Sequence, residues 1–107
     1  MNRKLIFRGM DHSDALDKDM NAHIDKMAKY FKQEHEPITI DAILESHREK
    51  HYFIVEFRIQ TPDYHIIARE EGASMYQLMN AAGQKAVQEI IKKKDKHQTE
   101  KDHRHRR

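Results

Sequence analysis

Ile38-Thr39-Ile40-Asp41-Ala42-Ile43-Leu44-Glu45 and, after a polar bend at residues 46–50, Phe53-Ile54-Val55-Glu56-Phe57-Arg58-Ile59 decide the fold. Ile38, Ile40, Ala42 and Leu44 alternate with Thr39, Asp41, Ile43 and Glu45, and Phe53, Val55, Phe57 and Ile59 repeat the pattern. A period of two puts one set of side chains on a buried face, so the two stretches predict an antiparallel hairpin with one wet side. That side is expected to show Thr39, Asp41, Glu45, Glu56, Arg58 and Gln60.

Working outward, Thr61-Pro62-Asp63 supplies a turn in which proline presets φ, and Tyr64 to Arg69 reads as a fourth strand. On the other side, Arg3 to Arg8 alternates Leu5 and Phe7 with Lys4, Ile6 and Arg8, a short first strand that Gly9 ends. Between the first and second strands, Leu16, Met20, Ile24, Met27 and Phe31 recur at helical spacing behind an N-cap at Ser13 and first-turn acids Asp14 and Asp17. After Gly72 a last helix, about Ser74 to Lys96, places Met75, Met79, Ala82, Gly83, Ala86 and Ile90 on one stripe. The order is βαβββα. Two helices with one apolar face each need one sheet face to cover, so the expected class is α+β, a two-layer sandwich with a four-stranded sheet.

Length and composition agree with one domain. The 107 residues, 37% hydrophobic and 36% charged, leave room for a single core that buries about 60–68% of the unfolded chain's surface. Its expected bounds are 1–96, with 97–107 a basic, disordered tail. No apolar run reaches membrane-spanning length and the opening residues lack a secretory stretch, so the expected location is the cytoplasm. With no cysteine there is no disulfide, thiolate nucleophile or cysteine-ligated metal.

Catalysis finds no residue set. Ser13 and Ser74 begin helices, Ser46 sits in the hairpin bend, and none carries nucleophile-elbow glycines. The three glycines are too scattered to cradle a phosphate. Glu70 and Glu71, adjacent on a strand end, point to opposite sides and read as a solvated acidic corner. His47 and His51 have helical metal-pair spacing but bracket a bend, and His103 and His105 stand among arginines that repel a cation. Neither metal nor cofactor is expected, and the protein is expected not to be an enzyme.

Charge is the remaining signal. Through Ile91 the chain has 12 Lys and Arg against 15 Asp and Glu, and from Lys92 onward 8 against 3. Lys85, Lys92 and Lys96 fall on one side of the last helix, with Lys93 and Lys94 widening the band. Residues alone leave two readings open: a solvated face whose cations suit the helix C-terminus, or a row of charges matched to a phosphate backbone.

Ile59-Gln60-Thr61-Pro62, then Met75-Tyr76 opening a helix that carries Met79, Asn80, Lys85, Ile90, Lys92 and Lys96, resembles the short ribosome hibernation factors. These are also described as ribosome-associated inhibitors and as sigma-54 modulation proteins. The resemblance spans about Leu5 to Lys96 and includes Arg8, Ser13 to Leu16, Lys26 and Lys29. It implies a non-catalytic factor that occupies the mRNA and tRNA channel of the small ribosomal subunit and blocks translation or preserves idle ribosomes under stress. It further implies that Arg8, Lys26, Lys29, Lys85, Lys92 and Lys96, with Lys93 from the lysine row, touch ribosomal RNA phosphates. Ser74 departs from the acidic residue usual before Met-Tyr, Gln88 from a common arginine, and Glu70-Glu71 add negative charge. The bend at residues 46–52 is longer than in compact members. Long-form relatives join two ribosomes through a second domain, and the chain is expected to have no such dimerisation domain. The alternative is a protein-binding regulator, for example of a sigma factor, acting through its sheet edge or helices.

Overall fold

The computed structural model describes residues 1–105, with side chains described through Lys96. Its elements are β1 (Asn2–Arg8), α1 (Asp14–Ala28), β2 (Thr39–His47), β3 (Tyr52–Gln60), β4 (His65–Gly72) and α2 (Met75–His105), the βαβββα order predicted. The sheet order is β1-β2-β3-β4, with β1 parallel to β2 and the other two pairings antiparallel. A parallel first pair requires a crossover, and α1 is that crossover.

Local chemistry sets the boundaries. Ser13 caps α1 by accepting a hydrogen bond from the Leu16 amide at 3.3 Å, and Asp14 and Asp17 lie where the helix dipole favours anions. A 3₁₀ turn, Lys29–Phe31, carries the apolar stripe one step further and buries Phe31. Proline alone does not fix the β3–β4 turn. The Thr61 hydroxyl donates to the Tyr64 carbonyl at 3.2 Å and accepts from the amides of Asp63 and Tyr64 at 3.1 and 3.0 Å.

Both helices lie on one sheet face. Met20, Ile24, Met27 and Phe31 from the α1 side and Met79, Ala82, Ala86 and Ile90 from α2 close over Ile40, Leu44, Val55, Phe57 and Ile59. Ala82 and Ala86 let α2 lie close to the sheet, and both are fully buried.

Three details differ from expectation. The open sheet face is drier than predicted: Ile43 (3%), Ile54 (7%) and Glu56 (7%) are buried there without a covering layer. In register, Ile43 faces Ile6 on one side and Glu56 on the other, and Glu56 lies between Ile43 and Arg69. Arg58 Nε donates to Glu56 at 2.6 Å, so the buried carboxylate is paired. Strand β4 continues past Arg69 to Gly72, paired with β3 as far as Phe53, and Glu70 and Glu71 each find a cation, on opposite faces: Lys85 Nζ at 3.8 Å and Arg69 Nη2 at 2.7 Å. Helix α2 continues through His105 instead of ending near Lys96. The expected tail at 97–107 otherwise falls outside the residues whose side chains are described.

Candidate nucleic-acid interface

The predicted basic residues divide into three groups. Lys85, Lys92 and Lys96 do share one flank of α2, since helical rotation of about 100° per residue keeps positions seven and four apart together. That flank faces β4: Lys85 Nζ donates to the Arg69 carbonyl at 3.3 Å and lies 3.8 Å from Glu70. Lys92 is 3.5 Å from Glu89, whereas Lys96 is exposed with no ion pair among the described residues. Lys93 is half-buried, one step inward from Lys92.

Lys26 is exposed on α1 and Lys29 on the 3₁₀ turn that follows it, again without an ion pair among the described residues. Arg8 stands apart. It follows Phe7, which packs on the core, so its side chain points to the open face, 3.9 Å from Glu45. The structure therefore does not bring Arg8 together with the helical lysines.

Lys94, expected to widen the lysine band, turns to the other flank of α2. Its ammonium donates to the Tyr30 carbonyl and lies 3.5 Å from Glu34. Glu34 also accepts from the Tyr64 hydroxyl at 3.0 and 3.1 Å. Burial and the Glu34 carboxylate both push the Tyr64 hydroxyl well above its ordinary pKa, so it stays a donor. This cluster ties the end of α1, the β3–β4 turn and α2 together, and holds the two helices at a fixed separation.

Between the helices runs a groove that sequence patterns did not single out. Tyr76, Asn80, Gln84 and Gln88 follow one another at four-residue intervals along α2, and across from them α1 contributes Asp19, His23 and Lys26. The stretch beside Gly83 encloses about 300 Å³. His23 enters because Gly83 has no side chain: a Cβ there would lie 2.7 Å from His23 Nδ1. Its imidazole packs near Phe57, with ring centres 6.3 Å apart. Burial, then the charge of Lys26, lowers the His23 pKa, while Asp19 and a hydrogen bond with Asn80 act in the opposite sense. Elsewhere, His47 stacks on Tyr52 and bonds Glu45. His51 sits at φ +53°, the left-handed end of the hairpin turn. Among the described residues, no three histidines or carboxylates converge as a metal site, and no helix is long and apolar enough to cross a membrane.

Fold and side chains together define a small α+β sandwich with a lysine-rich last helix and an open sheet. Residues 4–98 match the family model described as sigma 54 modulation protein / S30EA ribosomal protein. The chain belongs to this family of ribosome-associated proteins. It shares its fold with a ribosomal subunit interface protein from Coxiella burnetii, at 22% identity and TM-score 0.71, over 89% of this chain and 99% of that one. The N-terminal domain of Protein Y from Thermus thermophilus is similar at 21% identity and TM-score 0.70, over 84% and 96%. No curated protein matches the sequence.

Proposed function

We propose that this protein binds the small ribosomal subunit in the cytoplasm, occupies the path of messenger RNA and tRNA, and thereby inhibits translation or preserves idle ribosomes under stress. It does so without catalysis. The supporting observation is a set of lysines fixed on two helices of a rigid frame, in a chain whose family is ribosome-associated. Lys26, Lys29 and Lys96 carry the greatest weight, because no carboxylate among the described residues competes for them. Lys85, Lys92 and Lys93 extend the cationic surface along α2, and Arg8 reaches RNA only where the open face is also contacted. Affinity comes from phosphate neutralisation and specificity from the fit of the sandwich to a shaped RNA wall. The reading in which the sheet edge or helices regulate a sigma factor is less favoured.

Co-sedimentation with purified small subunits across a salt series tests this. Reversing Lys26, Lys29 and Lys96 together to Glu is expected to abolish pelleting at moderate salt. Each lost phosphate contact flattens the log–log salt slope by about 0.7 to 0.9. Pelleting of the triple variant indistinguishable from the parent's would refute the assignment.

A further inference from the structure

Tyr76, Asn80, Gln84 and Gln88 form one inclined ridge of α2, an aromatic ring followed by three side-chain amides. Tyr76 is 55% exposed, although an aromatic residue on a helix adjoining a core ordinarily turns inward. Each amide offers both a donor and an acceptor, the combination that pairs with the edge of a nucleobase. Lys26 supplies a cation on the facing wall, and Lys29 follows on the 3₁₀ turn that continues α1. The stretch lined by Asn80, Gln84 and Lys26 holds about 300 Å³ and the adjoining stretch lined by Tyr76 about 250 Å³, each at or just below the lower end of the range for small-ligand clefts. An amphipathic peptide would have to bury its apolar face against Asn80 and Gln84.

We propose that the α1–α2 groove receives one unpaired purine nucleotide of an RNA strand, adenine by preference, with its base stacked on Tyr76, its edge read by Asn80 and Gln84, and its phosphate held by Lys26. Glutamine and asparagine pair bidentately with adenine N6 and N7, which is the reason for the adenine preference. Stacking on Tyr76 tolerates any base and supplies most of the affinity. His23 keeps the groove open instead of binding. Its ring fills the floor beside Gly83, and Lys26 meets the phosphate on the stretch lined by Gln84 and Gln88, which Asp19 does not line. The inference deepens the ribosomal reading and rests on it for the source of the RNA. The groove chemistry stands on the residues named.

The test uses the full chain with labelled octanucleotides rA8 and rU8, an RNA duplex of the same length, and adenosine monophosphate as competitor. The parent is expected to bind rA8 more tightly than rU8 or the duplex, and rA8 more tightly than the free mononucleotide. Tyr76→Ala is expected to weaken rA8 binding about five- to a hundredfold without changing the salt slope, and Tyr76→Phe to preserve it. Gln84→Ala is expected to narrow the preference for rA8 over rU8, and Lys26→Ala to lower the salt slope by about 0.7. Tyr76 and Gln84 are exposed, so their variants fold, and unchanged thermal unfolding documents it. The proposal is overturned if rA8 does not bind, if the duplex or mononucleotide binds as well, or if Tyr76→Ala and Gln84→Ala both match the parent. A parent that pellets with small subunits while these variants lose nothing ends the groove proposal alone. One that binds rA8 as described but ignores subunits ends the ribosomal reading alone.

Discussion

Gly83→Ala sets two opposing effects against each other at one atom. In the interior of α2 the substitution gains helix propensity of about 0.8–1.0 kcal/mol. The added methyl, however, would stand 2.7 Å from His23 Nδ1 and 3.3 and 3.4 Å from two ring carbons. The imidazole cannot swing aside freely, because it packs near Phe57 and lies between the two helices. Overpacking of this kind costs about 1–3 kcal/mol, so the balance is a net loss of about 1 kcal/mol. In a domain of this size that lowers Tm by about 4–8 °C. The sign reverses once the ring is removed. On a His23→Ala background the methyl has room, and Gly83→Ala is expected to raise stability by the propensity gain alone. Four proteins followed by circular dichroism in urea and on heating give the complete cycle, with an expected coupling of about 1–3 kcal/mol between the two positions. A Gly83→Ala variant more stable than its parent, or an equal response in both backgrounds, refutes the claim that glycine is required there by His23.

Gly9 is the second position where backbone and space coincide. At φ +65°, with Ser46 O only 2.4 Å from where a Cβ would sit, Gly9→Ala combines a left-handed penalty with a clash against β2 backbone. A loss of about 2–4 kcal/mol in urea unfolding is expected, and a value within about 0.5 kcal/mol of the parent refutes it. His23 predicts a direction with pH. Burial and Lys26 lower its pKa in the fold, so the unfolded chain takes up that proton first. Its contribution to stability is complete above the ordinary histidine value of 6.5 and is lost as pH falls through the lower folded value. The parent is therefore expected to lose more stability than His23→Gln between pH 7 and pH 5. Parallel profiles rule this out.

Most of the frame was legible because it rests on period. The alternation from Ile38 to Leu44 and from Phe53 to Ile59 survives intact in β2 and β3, and the Leu16–Phe31 stripe is the buried side of α1 and its closing turn. Ends were less legible. Glu70 and Glu71 look like a strand's polar margin until Lys85 and Arg69 are placed beside them. The lysines after Ile91 look like the start of a tail, yet no glycine or proline follows, and Lys, Gln and Glu extend helices well. At the interface, the displacement of Arg8 was readable from strand parity once Phe7 was taken as buried. Lys94 was not, because its partners Tyr30 and Glu34 lie some sixty residues earlier in the chain. The groove was invisible for the same reason: a ladder of amides is an ordinary solvated helix face until α1 is laid alongside it.

The intramolecular ion pairs bear on how strongly this protein grips RNA. Lys85–Glu70, Lys92–Glu89 and Arg8–Glu45 lie at 3.8, 3.5 and 3.9 Å on exposed surface, where such pairs contribute about 0–1 kcal/mol each. Exchanging a carboxylate for a phosphate is therefore nearly free, and these residues remain available. The exchange nevertheless leaves Glu70 and Glu89 without these partners beside a polyanion, and each then draws a cation from solution, whereas Glu45 keeps His47. Cation uptake by the protein opposes cation release from RNA, so a paired lysine adds less than its full increment to the salt slope. Among the described residues, Lys26, Lys29 and Lys96 have no ion pair and so incur no such offset. Removing Glu89 by Glu89→Gln should accordingly steepen the salt dependence of RNA binding as well as tighten it, a combination that a lysine row read from sequence alone, with every charge counted equally, does not yield.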